Sequence, residues 1–427
     1  MRKPASKQAQ PAAPGASAQS YLEVRAASLA LAEPLSPEDC AIQSMPDASP
    51  VKWHLAHTTW FFETFILAPR GIEPFRPEFR VLFNSYYQSV GDRHPRPERG
   101  MLSRPSLDEV VDYRRHVDAA MSRVLSEGTL DAPTRALVEL GLHHEQQHQE
   151  LILTDVKHLL SRNPLHPMYR KLWPLTAIRP GPTRWIRVQG GVHEVGHAGA
   201  GFSFDNESPR HRVLLEDFEI ASHPVTHGDF LAFIEAGGYR RPDLWLSAGW
   251  DTVVARGWEA PAYWQRGEDG QWLTFTLHGL ESVEPYAPVC HVSFYEAEAY
   301  ARWAGARLPT EAECEIAVAD TPIEGNFVES GALHPLATRE ATPDGALAQA
   351  YGDVWEWTRS DYGPYPGFVP APGAVGEYNG KFMANQYVLR GGSCATPRSH
   401  IRATYRNFFP ADARWQFSGL RLARDAR

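Results

Sequence analysis

The chain has 427 residues, of which 43% are hydrophobic and 22% are charged, and its formal net charge is −9. This length predicts two or three domains, and this composition is typical of globular proteins with a large core. The acidic balance argues against a nucleic acid or an anionic membrane as partner, because neither is attracted to an acidic surface. No apolar stretch reaches the length of a membrane span, and the four cysteines form no CxxC pair, which favours a reducing, cytoplasmic location.

The first half of the sequence predicts a helical bundle. Residues 1–20 are rich in Ala, Pro, Ser and Gln, which predicts a disordered tail. In residues 21–165, apolar side chains recur at spacings of three and four, the period of a helix. The expected helices span residues 20–32, 50–67, 107–125 and 131–161. Four helices joined by loops predict an up-and-down bundle.

The composition changes in the second half, where Gly, Trp and Pro become frequent and apolar runs shorten. Residues 166–185, which contain several prolines, predict a linker. Residues 185–197 predict a strand, a turn and a second strand, and short helices are predicted at 227–235 and 293–303. The expected fold class is therefore α+β, with a helical bundle followed by a mixed α/β domain over residues 186–427.

The sharpest local signal is the motif HHEQQHQE in the fourth predicted helix. His144 and His148 are one turn apart on one helix face, where two imidazoles can bind one metal ion. Sites in bundles usually draw ligands from facing helices, so we expect a third histidine from the second helix. His57 is the main candidate because it lies on an apolar, Trp- and Phe-rich stretch, and His54 is the alternative. Glu150 is expected to support a ligand rather than to bind the metal.

Two other interpretations of these histidines remain open. The same residues match the HExxH pattern, in which Glu145 would be the general base of a zinc protease, although no downstream ligand pattern accompanies it. They could also be core histidines that only form hydrogen bonds, but the apolar surroundings and the second His-rich helix favour a metal. Three imidazoles without a carboxylate would leave up to three positions of an octahedral iron open for an organic substrate, a thiolate and O₂.

Both halves resemble known folds. The first half, with its upstream histidine and its HxxxHxE pattern, resembles the DinB-like four-helix bundle. The second half resembles the formylglycine-generating (sulfatase-modifying) fold. The segments that carry this second resemblance are GGV at 190–192, NESPRH at 206–211, RLPTEAE at 307–313, GDVWEW at 352–357 and RGGS at 390–393. The combination resembles the ergothioneine sulfoxide synthases, the EgtB family, over nearly all of residues 21–425.

This resemblance implies a cytoplasmic non-heme Fe(II) enzyme that uses O₂ to join sulfur to the imidazole C2 of hercynine, which is trimethylated histidine. His57, His144 and His148 would hold the iron. The segments SMPD at 44–47 and LFNSYY at 82–87 are similar to the branch that uses free cysteine and produces a sulfoxide in ergothioneine biosynthesis. Tyr86 and Tyr87 match the paired active-site tyrosines of that branch, and either could supply a proton or a hydrogen atom.

The resemblance also implies residues that contact the two substrates. Four would contact hercynine or line its pocket, and two arginines would hold the carboxylate of cysteine; they are Gln147, Asn407, Phe408, Phe409, Arg96 and Arg99. The residue types suit these roles, because aromatic faces attract a quaternary ammonium and arginine forms a fork for a carboxylate. Without the family, core packing and a solvated basic loop would explain the aromatic and arginine residues equally well.

Several positions depart from the family pattern. Cys314 stands where Trp is usual and His227 where Asn is usual, which is consistent with a side branch. One side branch of the family that this chain resembles makes selenoneine from hercynine and a selenosugar. Cys394 has no cysteine partner nearby, which argues against the sulfatase-activating chemistry of formylglycine-generating enzymes. A DinB-type zinc hydrolase or thiol transferase and a non-catalytic binding module are the remaining alternatives.

Overall fold

The computed structural model of the protein describes residues 15–171, 181–199, 201–338, 343 and 345–426. Most of the predicted tail and the middle of the predicted linker lie outside the described residues. The first half contains four long helices and one short helix. They are α1 (Ala18–Ala32), α2 (Val51–Phe62), α3 (Phe79–Leu82), α4 (Leu107–Ser126) and α5 (Ala132–Ser161). The predicted helical bundle is thus confirmed, and α3 is an addition to it.

The helix starts follow from their capping residues. Ser106 accepts a hydrogen bond from the backbone of Glu109, whose carboxylate returns one to Ser106, so α4 begins with a capping box. Asp131 caps α5 in a similar way by accepting from the backbone N–H of Thr134. The second predicted helix ends differently from expectation, because α2 continues as a π-helical turn over Glu63–Leu67.

The second half combines four short helices with fourteen strands among the described residues. The helices are α6 (His227–Glu235), α7 (Ser247–Arg256), α8 (Phe294–Trp303) and α9 (Glu311–Ala317). The first seven strands are β1 (Trp185–Val188), β2 (Gly191–Val195), β3 (His211–Leu215), β4 (Phe218–Ala221), β5 (Trp264–Arg266), β6 (Trp272–Thr276) and β7 (Gly279–Ser282). The last seven are β8 (Gly325–Asn326), β9 (Tyr351–Gly352), β10 (Trp355–Asp361), β11 (Gln386–Arg390), β12 (Asn407–Pro410), β13 (Ser418–Gly419) and β14 (Ala423–Asp425).

The strands form several small sheets rather than one large sheet. The largest has the order β12-β11-β10-β13, and a three-stranded sheet has the order β1-β4-β14. The two strands predicted at 185–197 are present, but they belong to different sheets, because β1 pairs with β4 and β2 pairs with β3. The GDVWEW segment enters β10, where Trp355 and Trp357 are buried in the domain core.

Helix α5 lies between the two halves of the chain. One of its faces packs in the bundle core with α1 and α2, and another contacts residues of the second domain. Of the helices in the described ranges, none combines the length and apolar character that a membrane crossing requires. The arrangement places the predicted histidine motif of α5 next to the domain interface.

Candidate metal centre

The close approach of α2 and α5 creates the site. Every residue of α2 is buried, so this helix runs through the centre of the bundle. Gly141 on α5 faces the rings of Phe61 and Phe62, and a Cβ atom at this position would lie only 2.6–2.8 Å from their ring carbons. A side chain there would force the helices apart. The glycine, one turn before His144, therefore lets α5 bring its histidines against α2.

Three imidazoles converge between these helices. The ring centroids of His57, His144 and His148 lie 4.7–5.0 Å apart, and one nitrogen of each ring lies within 4.8 Å of the others. All three histidines are at most 9% exposed. Metal–imidazole bonds of about 2.0–2.1 Å allow nitrogen separations up to roughly 4.2 Å, so a small adjustment closes the site on one ion. No other group of three such donors occurs within the described ranges.

The three histidines are neutral at physiological pH. Burial lowers the pKa of His144 to about 4, and burial together with the neighbouring His144 lowers the pKa of His57 and His148 well below the ordinary value. The Nδ1–H of His57 donates to the carbonyl of Phe83 at 2.6 Å, which leaves its Nε2 lone pair free. Nδ1 of His144 is buried, with no hydrogen-bond partner among the described residues. Buried imidazoles with free lone pairs fit a bound cation better than a hydrogen-bonded core.

Two tryptophans fix the ring of His57. Trp53 stacks on one side at 4.6 Å and 13°, and Trp60 stacks at 5.6 Å and 17°. His54, the alternative third ligand, lies outside the trio. Its Nδ1 lies 2.8 Å from Nδ1 of His148, so His54 contacts a candidate ligand rather than joining the three.

Glu145 cannot act as the base of an HExxH protease. Its buried carboxylate accepts hydrogen bonds from Arg25 at 2.8 Å, Arg114 at 2.9 Å and Ser28 at 2.6 Å. Burial alone would raise the pKa of Glu145, but the two arginines hold it at about 2. A carboxylate this acidic, committed to α1 and α4, does not accept a proton near neutral pH. Glu145 therefore stabilises the bundle core, and the zinc-protease interpretation loses its general base.

The structure corrects the expectation for Glu150. Its carboxylate accepts hydrogen bonds from Trp355 Nε1 at 2.8 Å, Thr396 Oγ1 at 2.7 Å and the hydroxyl of Ser393. All three donors belong to the second domain, within or beside the GDVWEW and RGGS segments. Glu150 therefore joins the two domains and makes no hydrogen bond to the histidine trio.

Gln147 faces the second domain from the helix turn that carries His148. Its Nε2 donates to the hydroxyl of Tyr405 at 2.8 Å, and that hydroxyl also lies 3.0 Å from Nε2 of His400. His400 in turn contacts Nδ1 of His143 at 2.9 Å. This interdomain network fixes the carboxamide of Gln147 beside the candidate metal centre.

The three residues predicted near hercynine on β12 do not share one face. Phe408 stacks on Tyr362 at 4.0 Å, whereas Phe409 contacts Trp415 at 6.1 Å. Successive side chains of a strand point to opposite faces, so these two rings diverge. Asn407, two residues before Phe409, is half-buried and accepts a hydrogen bond from the backbone of Phe408.

One predicted tyrosine and one predicted arginine each lie one ring away from His57. Tyr87 is buried and contacts Trp60 at 5.5 Å, one ring away from His57. The hydroxyl of Tyr86 accepts from Nη1 of Arg96 at 3.1 Å. Arg99 is 4% exposed, and its guanidinium lies 3.4 Å from the centroid of the Trp53 ring.

Two aromatic residues at this place escaped the sequence analysis. The rings of Tyr378 and Phe382 lie 5.9 and 5.1 Å from that of Tyr86, and Phe382 also contacts Phe408 at 5.8 Å. Both follow β10 in an irregular segment without sequence periodicity, so no pattern indicated them. Together with Tyr362 they form an aromatic cluster next to the predicted arginines.

Two cysteines of the second domain lie in surroundings that disfavour the thiolate. Cys290 and Cys394 are buried free thiols. Burial raises the pKa of Cys290 to about 12 and that of Cys394 well above the ordinary value. Protonated, inaccessible thiols are poor nucleophiles.

Family models match both halves of the chain. Residues 20–152 match the DinB superfamily, and residues 176–342 and 329–426 match the sulfatase-modifying factor enzyme 1-like domain. The second half is also similar to the formylglycine-generating enzyme of Streptomyces coelicolor, with 32% identity over 303 residues that cover 59% of this chain and 93% of that protein. These matches confirm the fold class expected from the sequence.

Two relatives align over almost the whole chain. The hercynine oxygenase of Mycolicibacterium thermoresistibile is 36% identical over 410 residues, covering 89% of this chain and 88% of that protein. The hercynine oxygenase of Mycobacterium tuberculosis is 34% identical over 406 residues, covering 89% of this chain and 92% of that protein. Similarity of this extent, in a chain that brings three buried histidines together beside its second domain, shows that the protein belongs to the hercynine oxygenase family.

Proposed function

We propose that this protein uses Fe(II) and O₂ to join the sulfur of cysteine to C2 of the hercynine imidazole. The observation that carries the proposal is the buried trio of His57, His144 and His148 on α2 and α5. Hercynine oxygenases that align over about nine-tenths of the chain support the substrate. The balanced reaction is hercynine plus cysteine plus O₂ giving a sulfoxide-bridged conjugate plus water.

The donor set fits iron. Three neutral imidazoles without a carboxylate leave coordination positions for substrates, and imidazole is a suitable ligand for iron. Bound to the trio, Fe(II) would supply those positions and the redox chemistry that activates O₂. The histidines themselves need only keep their lone pairs available, which their lowered pKa values ensure.

The surrounding residues would bind and orient hercynine. Gln147 presents its carboxamide beside His148, held by Tyr405. The aromatic cluster that includes Phe408 and Tyr378 offers ring faces to a trimethylammonium group. Asn407 would contribute a carboxamide from β12, and Phe409 would help to shape the opposite side of that strand.

Two tyrosines would handle a proton. Burial raises the pKa of Tyr87 far above neutrality, so its phenol stays protonated and can donate a proton or a hydrogen atom. The hydroxyl of Tyr86 is oriented by Arg96, which leaves it beside the proposed donor site.

Arg99 favours an amino acid as the sulfur donor. It is buried and forms no ion pair with a carboxylate among the described residues, and its Nε has no hydrogen-bond partner there. A buried cation with free donors is stabilised by an anionic ligand. Cysteine offers a carboxylate and a neutral selenosugar does not, so we assign cysteine as donor and keep the selenosugar as the alternative to be tested.

Product analysis tests this function. Iron-loaded protein is incubated aerobically with hercynine and either cysteine or a 1-seleno sugar, and products are read by mass spectrometry. We expect the cysteine sulfoxide conjugate, dependent on O₂ and lost in His144→Ala but retained in His158→Gln, a histidine of the same helix outside the trio. A carbon–selenium product alone would reassign the donor, and turnover without O₂ would indicate a hydrolase or transferase.

A further inference from the structure

A chain of hydrogen bonds leads from the histidine trio to the buried Arg99. Nδ1 of His148 lies 2.8 Å from Nδ1 of His54, and Nε2 of His54 lies 3.0 Å from Oδ2 of Asp155. The same carboxylate oxygen accepts from the backbone N–H of Ser49 at 2.8 Å, and Oγ of Ser49 accepts from Nη1 of Arg99 at 2.9 Å. All five residues are at most 9% exposed. We call these five residues the relay.

The relay fixes the proton positions at His148. An ionised Asp155 can only accept, so Nε2 of His54 must carry a proton. Nδ1 of a neutral His54 is then a bare acceptor, and Nδ1 of His148 must donate to it. The lone pair of His148 is thereby confined to Nε2, and the negative charge behind His54 strengthens its basicity. Asp155 and His54 are therefore positioning residues that act through His148.

The other end of the relay carries a positive charge close to the trio. Arg99 lies against Trp53, which itself stacks on His57. Only the Trp53 ring separates the guanidinium from His57, so the field of Arg99 reaches the site. A cation here opposes the binding of a metal cation, and an anion bound to Arg99 would cancel that opposition.

We infer that the relay couples metal binding at the trio to binding of a carboxylate-bearing donor at Arg99, so that each strengthens the other. The identity of that donor rests on the proposed function, whereas the action of Asp155 and His54 on His148 does not. Coupling of this kind is reciprocal, because it is a free energy shared by the two sites. The enzyme would thus hold its metal most tightly when the sulfur donor is in place.

The metal end is tested by titrating the metal-free protein with Co²⁺ and recording its visible absorption. In Asp155→Asn, the carboxamide oxygen can keep the hydrogen bonds of Oδ2 with Ser49 and His54 but carries no negative charge behind His54. His148 then becomes a weaker ligand, so we expect about 10- to 100-fold weaker binding. His54→Phe should weaken Co²⁺ binding by a similar factor. His54→Gln should keep part of the wild-type affinity, because its side-chain carbonyl can still accept a hydrogen bond from His148. His158→Gln is the matched control. Folded Asp155→Asn and His54→Phe variants that bind Co²⁺ within twofold of wild type would overturn the inference.

The coupling is tested with L-alanine, which has the carboxylate of cysteine but no thiol to bind the metal. Saturating alanine should tighten Co²⁺ binding by about tenfold in the wild type, a typical allosteric factor. Bound alanine without any change in Co²⁺ affinity would refute the coupling. Failure of alanine to bind would remove Arg99 as a donor site, and would thereby count against the proposed donor while leaving the result for Asp155 and His54 intact.

Discussion

Replacing Glu145 by glutamine separates a structural role of the HExxH glutamate from a catalytic one. The carboxylate pairs with Arg25 and Arg114, and all three side chains are at most 2% exposed. The substitution leaves Arg114 without a carboxylate partner among the described residues, while Arg25 retains Asp118 at 2.7 Å. Breaking a buried ion pair from one side costs roughly 3–5 kcal/mol, because a buried charge is left uncompensated.

That cost sets the size of the expected effect. At about 2–4 °C per kcal/mol for a unit of this size, the melting midpoint of Glu145→Gln should fall by roughly 6–20 °C. Differential scanning calorimetry measures the midpoint, and Glu139→Gln, a half-buried residue of the same helix, serves as the control. Well below the melting transition, Co²⁺ affinity should stay within about threefold of wild type. A variant that melts like wild type but has lost turnover would refute the structural role and indicate a catalytic role for Glu145.

Three further predictions concern the metal, the donor and pH. His144→Ala should purify with less than a tenth of the wild-type iron and should not consume O₂ with both substrates present, as metal analysis and an oxygen electrode would show. Arg99→Met should raise the KM for cysteine at least tenfold while the KM for hercynine changes less than twofold. Burial holds the pKa of His291, His334 and His400 far below its ordinary value. Unfolding lets these histidines bind protons below about pH 6.5. Each histidine therefore lowers the free energy of unfolding by up to about 1.4 kcal/mol for every pH unit that the pH falls, and the melting midpoint of the metal-free protein should drop between pH 6.5 and 5.

Each of these three predictions can be contradicted by a specific result. Full iron content in His144→Ala would remove that residue from the donor set. An unchanged KM for cysteine in Arg99→Met, measured with a properly folded variant, would place the donor elsewhere. A melting midpoint that is constant or rises on acidification would contradict the assignment of the buried histidines as neutral.

The helical period predicted much of the metal site but could not choose between His54 and His57. The two histidines are three residues apart on α2, which is buried on all sides and therefore has no polar face to define an orientation. The choice depends on where α5 packs, and that depends on the contact of Gly141 with Phe61 and Phe62. Such a contact between distant residues has no signature in the local sequence.

Other features depend on partners far away in the chain. Glu150 looked like a residue that supports a ligand because it follows His148, yet its partners lie more than 200 residues later. Phe408 and Phe409 look equivalent in the sequence, but strand alternation separates them once β12 is placed in its sheet. Tyr378 and Phe382 come from an irregular segment, where no periodic signal exists to be detected.

The most direct test of the account is the stoichiometry of O₂ uptake in protein loaded with one Fe²⁺ per chain. With hercynine and cysteine both present, we predict one O₂ consumed per sulfoxide formed, and no uptake above background when either substrate is omitted or when His57, His144 or His148 is replaced by alanine. Sulfoxide formation that continues in the metal-free protein or in these alanine variants would contradict the proposal that the three histidines hold the reactive iron.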